Sequence, residues 1–407
     1  MNLDQRLTDA LDAAARTVPG DAVPPPVPVR PVRRTRPVLV IAVAAAAVIA
    51  AVAVPVVLSR NDDRGQVATG TCAAPPAVEP LAYPRQNGTK PATPELDKLP
   101  FGPPPRVPFT MAPNREGAGG YLEDLGVRVP VEKGFTYFSL GRVDCGWIIG
   151  RQRYGSGGEL EIGRLDTSGA YRSFGPFTGD GFSLSPDRSQ VVFVTPTGDD
   201  QARVTVRNVA TGKEATSWPT DREAEVLGWN SNGIWFMPER ERSRTQLWVP
   251  GSDPVSVDTS GRRLTAYRTT DRLLLSEQEQ VDEDGKGPGP CVRVAVLEGT
   301  RLRTVREQCG ASGAALSPDG ELLVTGGAVV AGIEVETGAR TRLNVSPLLL
   351  DADFQAIWED DTHLIDQTGV GSTREATLRC DVAGGRCERI EDGPQQTGPA
   401  GPDLGRP

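Results

Sequence analysis

Leu316-Ser317-Pro318-Asp319-Gly320, leading into the apolar Leu322-Leu323-Val324, is the stretch that decides the fold. Its first half is turn chemistry: proline presets φ, and Asp and Gly serve the other corners. Its second half is a short apolar strand. The same pairing stands earlier, where Leu184-Ser185-Pro186-Asp187 precedes Val191-Val192-Phe193-Val194. Outward from these two, apolar strands recur at Gly146-Trp147-Ile148-Ile149, Gly233-Ile234-Trp235-Phe236, Leu273-Leu274-Leu275 and His363-Leu364-Ile365. Measured from Ile148, Val192, Trp235, Leu274, Leu323 and Leu364, the steps are 44, 43, 39, 49 and 41 residues. Hairpin glycines give a second ruler: Gly169, Gly212, Gly251, Gly299, Gly338 and Gly384 step by 43, 39, 48, 39 and 46. A fixed period near 40–45 residues of short strands and turns, without a sustained helical stripe, predicts an all-β fold built of propeller blades.

Glu225-Val226-Leu227-Gly228-Trp229-Asn230 and Ala356-Ile357-Trp358-Glu359-Asp360 fill the turn-bearing slot in degenerate form. With the clean copies at Ser185, Pro186, Asp187 and at Ser317, Pro318, Asp319, Gly320, residues 101–392 resemble the bacterial TolB-like and WD-repeat-like propellers, whose blades carry this turn. An earlier unit fits the rulers too, with Val107-Pro108-Phe109-Thr110 as its strand and Gly126 standing 43 residues before Gly169. That predicts a β-propeller of seven blades, with six as the alternative. Leu99 to Arg106 lead into the first blade.

Six cysteines, Cys72, Cys145, Cys291, Cys309, Cys380 and Cys387, test the register. Cys291 and Cys309 are symmetric about position 300, and Cys380 and Cys387 flank Ala383-Gly384-Gly385, so hairpin pairing sets each couple on adjacent strands within disulfide reach. Elimination leaves Cys72 with Cys145.

Residues Val38 to Leu58 are 21 uncharged positions, all Ala, Val, Leu or Ile apart from Pro55. As a helix they cover roughly 30 Å, the thickness of the hydrocarbon core. Arg30, Arg33, Arg34 and Arg36 flank one side, whereas Arg60 and Arg64 are offset by Asp62 and Asp63, which places the N-terminus in the cytoplasm. The competing assignment is a cleaved signal peptide ending near Ala51-Val52-Ala53, against which stand 37 preceding residues and an overlong apolar run. The expected order is therefore a cytoplasmic tail (1–37), a single transmembrane helix (38–58), a Pro- and Thr-rich stalk (59–100), the propeller (101–392) and a disordered tail (393–407). All six cysteines follow the span, which points to an oxidising compartment. Of 44 basic residues only five are Lys, the usage of a high-GC bacterial genome, so the expectation is a membrane-anchored protein of actinobacterial type. Within the tail, residues 2–16 are expected to form a short amphipathic helix with Leu3, Leu7 and Leu11 on one face, a candidate docking surface for a cytoplasmic protein or the membrane surface, with partial disorder as the alternative for so short a helix. Pro24, Pro25, Pro26, Pro28 and Pro31 make the following tether extended.

The chemistry-bearing residues are few. His363 is the single histidine, beside an apolar strand, and the chain holds no Gly-x-Ser-x-Gly elbow, no phosphate loop and no zinc-ligand spacing, so no cofactor or metal is expected. Asp282-Glu283-Asp284-Gly285 is acidic but lacks EF-hand order. The tail contributes +2 to the net charge of −9, leaving −11 outside, a sign that repels nucleic acid. Trp147, Trp218, Trp229, Trp235, Trp248 and Trp358 mostly sit in or beside strands, where core packing explains them. The leading expectation is a non-enzymatic envelope binding or scaffold protein whose propeller meets a protein or wall ligand. A transmembrane regulator docking a partner such as a sigma factor is the alternative. A propeller lyase or hydrolase using Asp360 and Asp361 is weaker, since adjacent strand residues point to opposite faces.

Overall fold

The apolar runs that set the repeat are strands covered on both faces. Ile148, Ile149, Val191 to Val194, Ile234 to Phe236, Leu273, Leu323, Val324, Leu364 and Ile365 are all at most 1% exposed. A run with no polar alternation is stable as a strand only when a neighbouring layer packs on each side. The computed structural model describes residues 98–103, 105–111, 120–153, 160–238, 244–277, 290–311, 313–326, 330–345, 357–370, 373–390 and 403–404.

The strands in chain order are β1 (Phe101–Gly102), β2 (Phe109–Met111), β3 (Gly120–Asp124) and β4 (Val127–Val131). Next come β5 (Phe135–Val143), β6 (Gly146–Arg153), β7 (Leu160–Asp166), β8 (Tyr171–Leu184), β9 (Gln190–Pro196), β10 (Gln201–Asn208) and β11 (Glu214–Asp221). Two four-stranded meanders follow, β12 (Glu225–Asn230), β13 (Gly233–Met237), β14 (Arg244–Trp248) and β15 (Val255–Asp258), then β16 (Arg263–Ala266), β17 (Leu273–Ser276), β18 (Cys291–Glu298) and β19 (Arg301–Cys309). A third is β20 (Ala314–Leu316), β21 (Leu322–Thr325), β22 (Ala331–Glu334) and β23 (Arg340–Arg342). The last strands are β24 (Ile357–Trp358), β25 (His363–Val370), β26 (Thr373–Asp381), β27 (Arg386–Ile390) and β28 (Asp403–Leu404).

These make a propeller-like, all-β arrangement. Five sheets are separate blade-like units: β12 to β15, β16 to β19, β20 to β23, β28-β2-β3-β4, and β24 to β27 extended by β1. The sixth runs β5 to β11 as one seven-stranded sheet, because the 14-residue β8 pairs with β7 through Tyr171 to Phe177 and with β9 through Thr178 to Leu184. The count of separate blades thus differs from the expected seven, and from six. The physical reason is a register break between Thr178 and Ser183 that bends the strand without ending it.

Core clusters join each sheet to the next. Trp235 and Leu247 meet Leu264 and Leu273, Leu274 and Val294 meet Leu323 and Ile333, and Val324 and Val330 meet Leu364 and Leu378. Face-to-face burial of consecutive sheets is what covers both sides of β6, β9, β13, β17, β21 and β25. At the junction of the two chain ends, β1 pairs parallel with β27, and β28, within the stretch read from sequence as a tail, pairs antiparallel with β2. Among the described residues no helix is long and apolar enough to cross a membrane. Residues 1–37, the span Val38 to Leu58, Cys72 and nearly all of the stalk lie outside the described residues.

Both hairpin cysteine couples are disulfides, Cys291–Cys309 and Cys380–Cys387, each with Cα atoms 4.0 Å apart. The first needs an irregularity that spacing alone does not show. The two-residue turn at Gly299-Thr300 would set Cys291 opposite Gln308, but Val305 is left unpaired between Val294 and Ala295's partners, and the shift by one brings Cys309 opposite Cys291. In the last hairpin the positive-φ glycine is Gly385 at 72°, while the Gly384 amide donates to Asp381 Oδ1 at 2.8 Å, so the ruler's final mark moves one residue. Cross-linking hairpins of this size restricts the unfolded chain by about 2–3 kcal/mol each. Reduction of both bonds is therefore expected to lower the urea midpoint without loss of strand content, measured by circular dichroism with and without reductant.

Candidate functional site

Alternation along β5, β6 and β7 brings Tyr137, Arg151 and Glu161 into one row, since Tyr137 pairs with Arg151 and Arg151 with Glu161. Tyr171, at the start of β8, lies across this row because Gly163 leaves the space: a Cβ there would stand 2.5 Å from the Tyr171 ring. The Arg151 guanidinium is held between two rings, 3.6 Å from the Tyr171 centroid and 4.1 Å from that of Phe135. Its Nε donates to Glu161 Oε2 at 2.7 Å and Nη1 to Glu132 Oε2 at 2.6 Å. Arg151 is 8% exposed, yet the Glu132 side chain keeps 59% of its surface in solvent. These groups line a groove of about 390 Å³ between β4 and the β5–β8 meander, walled on its apolar side by Val131, Ile149 and Leu165.

The electrostatics follow from burial and pairing. Burial opposes the charge on Arg151, but Glu161, Tyr171 and Glu132 outweigh it and raise its pKa. Burial pushes the Tyr137 hydroxyl up to about 12, and that hydroxyl donates to the Glu132 carbonyl at 2.8 Å. Tyr171 is pushed up by burial and by Glu161, with Arg151 opposing, and its hydroxyl is shut from solvent with no acceptor for its proton. A fixed cation beside a donor without an acceptor, over an apolar wall, is equipped to bind an anionic group.

The repeated turns are structural clasps. Ser185 Oγ donates to Asp187 Oδ1 at 2.6 Å and accepts from the Gln190 amide at 2.9 Å; Ser317 does the same with Asp319 at 2.6 Å and the Leu322 amide at 2.8 Å. Each clasp is tied to a hairpin of its own repeat, since the amides of Val209, Val335 and Val382 donate to the carbonyls of Ser189, Glu321 and Thr362 at 2.8–2.9 Å. All three valines are buried at 5% exposure or less. Burial opposes ionisation of Asp187, but bonds from Ser185 and the Ser189 amide win and hold its carboxyl below the usual carboxylate range. A carboxyl depressed in the folded state contributes stability that is complete above its unfolded pKa of about 4 and is lost as pH falls through the lower folded value. Asp187→Asn is therefore expected to flatten the acid limb of the stability curve below about pH 4, read as urea midpoint against pH.

At the degenerate turn before β25, Asp360 Oδ1 accepts from the amides of Thr362 and His363 at 2.8 Å, and His363 Nδ1 sits 3.1 Å from both Asp360 oxygens. This is the same turn with Asp360 as its acceptor. Burial pushes that carboxyl up, but these bonds outweigh it and keep it below the usual range. Trp147, Trp229, Trp235, Trp248 and Trp358 are buried, and Trp218 packs on Trp248 at 6.4 Å. Cys145 is disulfide-bonded, to a partner outside the described residues, where Cys72, Leu3, Leu7 and Leu11 also lie. Cys291, Glu307 and Cys309 converge closely enough for a metal, but both sulfurs are spent in the disulfide.

Sequence reasoning missed Arg151, Tyr171 and Glu132. A sequence signal existed for the hairpin clasp, in Asn208-Val209-Ala210-Thr211-Gly212 and Glu334-Val335-Glu336-Thr337-Gly338, but none for the groove.

No protein family model and no curated protein matches the chain. Among solved structures it is similar to an oligogalacturonate lyase from Vibrio parahaemolyticus, at 12% identity and TM-score 0.43 over 64% of this chain and 82% of that one. It is similar to TolB from Acinetobacter baumannii at 12% identity and TM-score 0.42, over 72% and 65% of the two chains. A puromycin-hydrolysing peptidase of Mycobacterium tuberculosis matches at 16% identity and TM-score 0.44, over 73% and 57%. At such distances these likenesses carry no argument about activity; the propeller-like fold rests on the sheets themselves.

Proposed function

We propose that the chain is a non-enzymatic binding or scaffold protein of the bacterial cell envelope, anchored by Val38 to Leu58 and presenting its propeller outside the membrane to a protein or wall ligand. The observation that carries this reading is oxidation: two hairpin disulfides and the bonded Cys145 all follow the apolar span. Stable disulfides belong to oxidising compartments. The clasped turns and hairpins give a rigid rim, and the Arg151 groove gives it a place to bind.

The test is in-cell crosslinking with mass spectrometry, comparing the full chain with a form lacking residues 2–16. Partners confined to the envelope and unaffected by the deletion are expected. A cytoplasmic partner lost with it would replace this reading by that of a transmembrane regulator. Turnover of an envelope substrate by the purified protein, abolished by a point change, would overturn the non-enzymatic part.

A further inference from the structure

We propose that the groove between β4 and the β5–β8 meander is a binding site for a single carboxylate borne on a small, partly apolar molecule, with Arg151 and Tyr171 as its donors and Glu132 as the group it displaces. The inference rests on the reading of the propeller as a binding module and names the chemistry that it binds.

Three observations carry it. The guanidinium of Arg151 is immobilised before any ligand arrives, by the flanking rings of Phe135 and Tyr171 at 4.1 and 3.6 Å and by Glu161 at 2.7 Å. A donor fixed in this way loses little entropy on binding, which is the condition for tight recognition of a planar anion. Glu161 and Glu132 are not equivalent: the first is mostly buried at 28% exposure, while the second reaches Arg151 from the rim at 59%. In a pair open to solvent on one side the exposed partner is the one free to leave, and the buried guanidinium then needs another anion. The carboxylate of Glu132 therefore marks the place of an external carboxylate, which would take over the pairing of Arg151 as Glu132 swings into solvent. Third, Tyr171 lines the same groove, and its hydroxyl is buried without an acceptor. A buried donor left unpaired is expensive, and an entering oxygen would relieve it.

Two donors match the two oxygens of a carboxylate. A phosphate dianion brings more oxygens than the groove can satisfy and faces Glu161 held close beside Arg151. The wall of Val131, Ile149 and Leu165 takes an apolar side group, and about 390 Å³ suits a molecule the size of an acylated amino acid.

Isothermal titration of the purified full chain with N-acetylvaline, N-acetylvaline amide and inorganic phosphate tests this. N-acetylvaline is expected to bind saturably, the uncharged amide not at all in the same range, and phosphate more weakly. Tyr171→Phe separates recognition from folding. It should weaken N-acetylvaline about tenfold or more, as loss of a hydrogen bond to a charged group does, while thermal stability holds or rises because an unpaired buried hydroxyl has gone. Glu132→Gln removes the internal competitor and should tighten binding about threefold. Equal binding of acid and amide, tighter binding of phosphate, no saturation by N-acetylvaline up to about 10 mM, or Tyr171→Phe and Glu132→Gln both binding as the parent does would each overturn the proposal. Envelope crosslinks that persist alongside such a result would leave the binding-propeller reading standing without this ligand, and cytoplasmic crosslinks alongside saturable N-acetylvaline binding would do the reverse.

Discussion

Asp124→Ala is expected to destabilise the fold by about 3–5 kcal/mol. Asp124 ends β3 with no exposed surface. Its Oδ2 accepts from Arg142 Nε and from Trp147 Nε1, each at 2.7 Å, and its Oδ1 accepts from Arg142 Nη2. Arg142 Nη2 also holds the Arg106 carbonyl at 3.0 Å, which draws the lead-in segment onto the same cluster. Removing the carboxylate leaves a largely buried guanidinium and a wholly buried indole N–H without their acceptor, and each carries a desolvation penalty. For a body of this size the loss should appear as a fall in Tm of about 10 °C in calorimetry. Asp124→Asn, which keeps one acceptor for Trp147, should lose less. A double change, Asp124→Leu with Arg142→Met, should recover part of the loss, because a buried pair replaced by apolar groups costs less than a pair broken on one side.

Gly228→Ala is expected to cost about 4 kcal/mol, from two sources that can be measured apart. Gly228 sits at the bulge of β12 with φ at +142°, and a Cβ there would stand 2.1 Å from the Ala266 carbonyl oxygen of β16. The obstacle is backbone of the next sheet, so it cannot rotate aside as a side chain would. Two inner strands approach closely only because this residue has no side chain. Gly251→Ala supplies the control: its φ is +93°, but nothing lies within 4 Å of a Cβ. It should show the conformational cost alone, about 1–2 kcal/mol. The difference between the two variants, read from urea midpoints, is the contribution of the close approach between sheets.

What the sequence tells and what it hides divide along local and non-local lines. The clasp at Ser317 is legible because every bond in it closes within five residues, and the proline and glycine that favour it leave their mark on composition. The apolar strands are legible because burial on both faces forces an unbroken apolar run. The hairpin disulfides are legible as pairs, although Cys291 faces Cys309 only through the unpaired Val305, which no spacing rule announces. The continuity of β8 is hidden because Gly179-Asp180-Gly181 has the composition of a turn, while its backbone remains in a bent strand. The groove is hidden for a different reason. Glu132, Tyr137, Arg151, Glu161 and Tyr171 come from separate strands and the segment joining two of them, and their meeting depends on register and on the space left by Gly163. Asp124 reads in sequence as one more polar residue beside a turn, and only the arrival of Trp147 and Arg142 from the next sheet makes it part of the core.

An exported propeller is expected to be oxidised and open to reagents outside the cell. The most direct measurement is non-reducing mass spectrometry on intact cells alkylated before lysis, with and without treatment by a protease that does not cross the membrane. Linked peptides are expected for Cys291–Cys309, Cys380–Cys387 and Cys72–Cys145, together with cleavage of stalk and propeller sites but none in residues 1–37. Alkylated, unlinked cysteines on a chain that the external protease does not touch would contradict an exported, oxidised propeller.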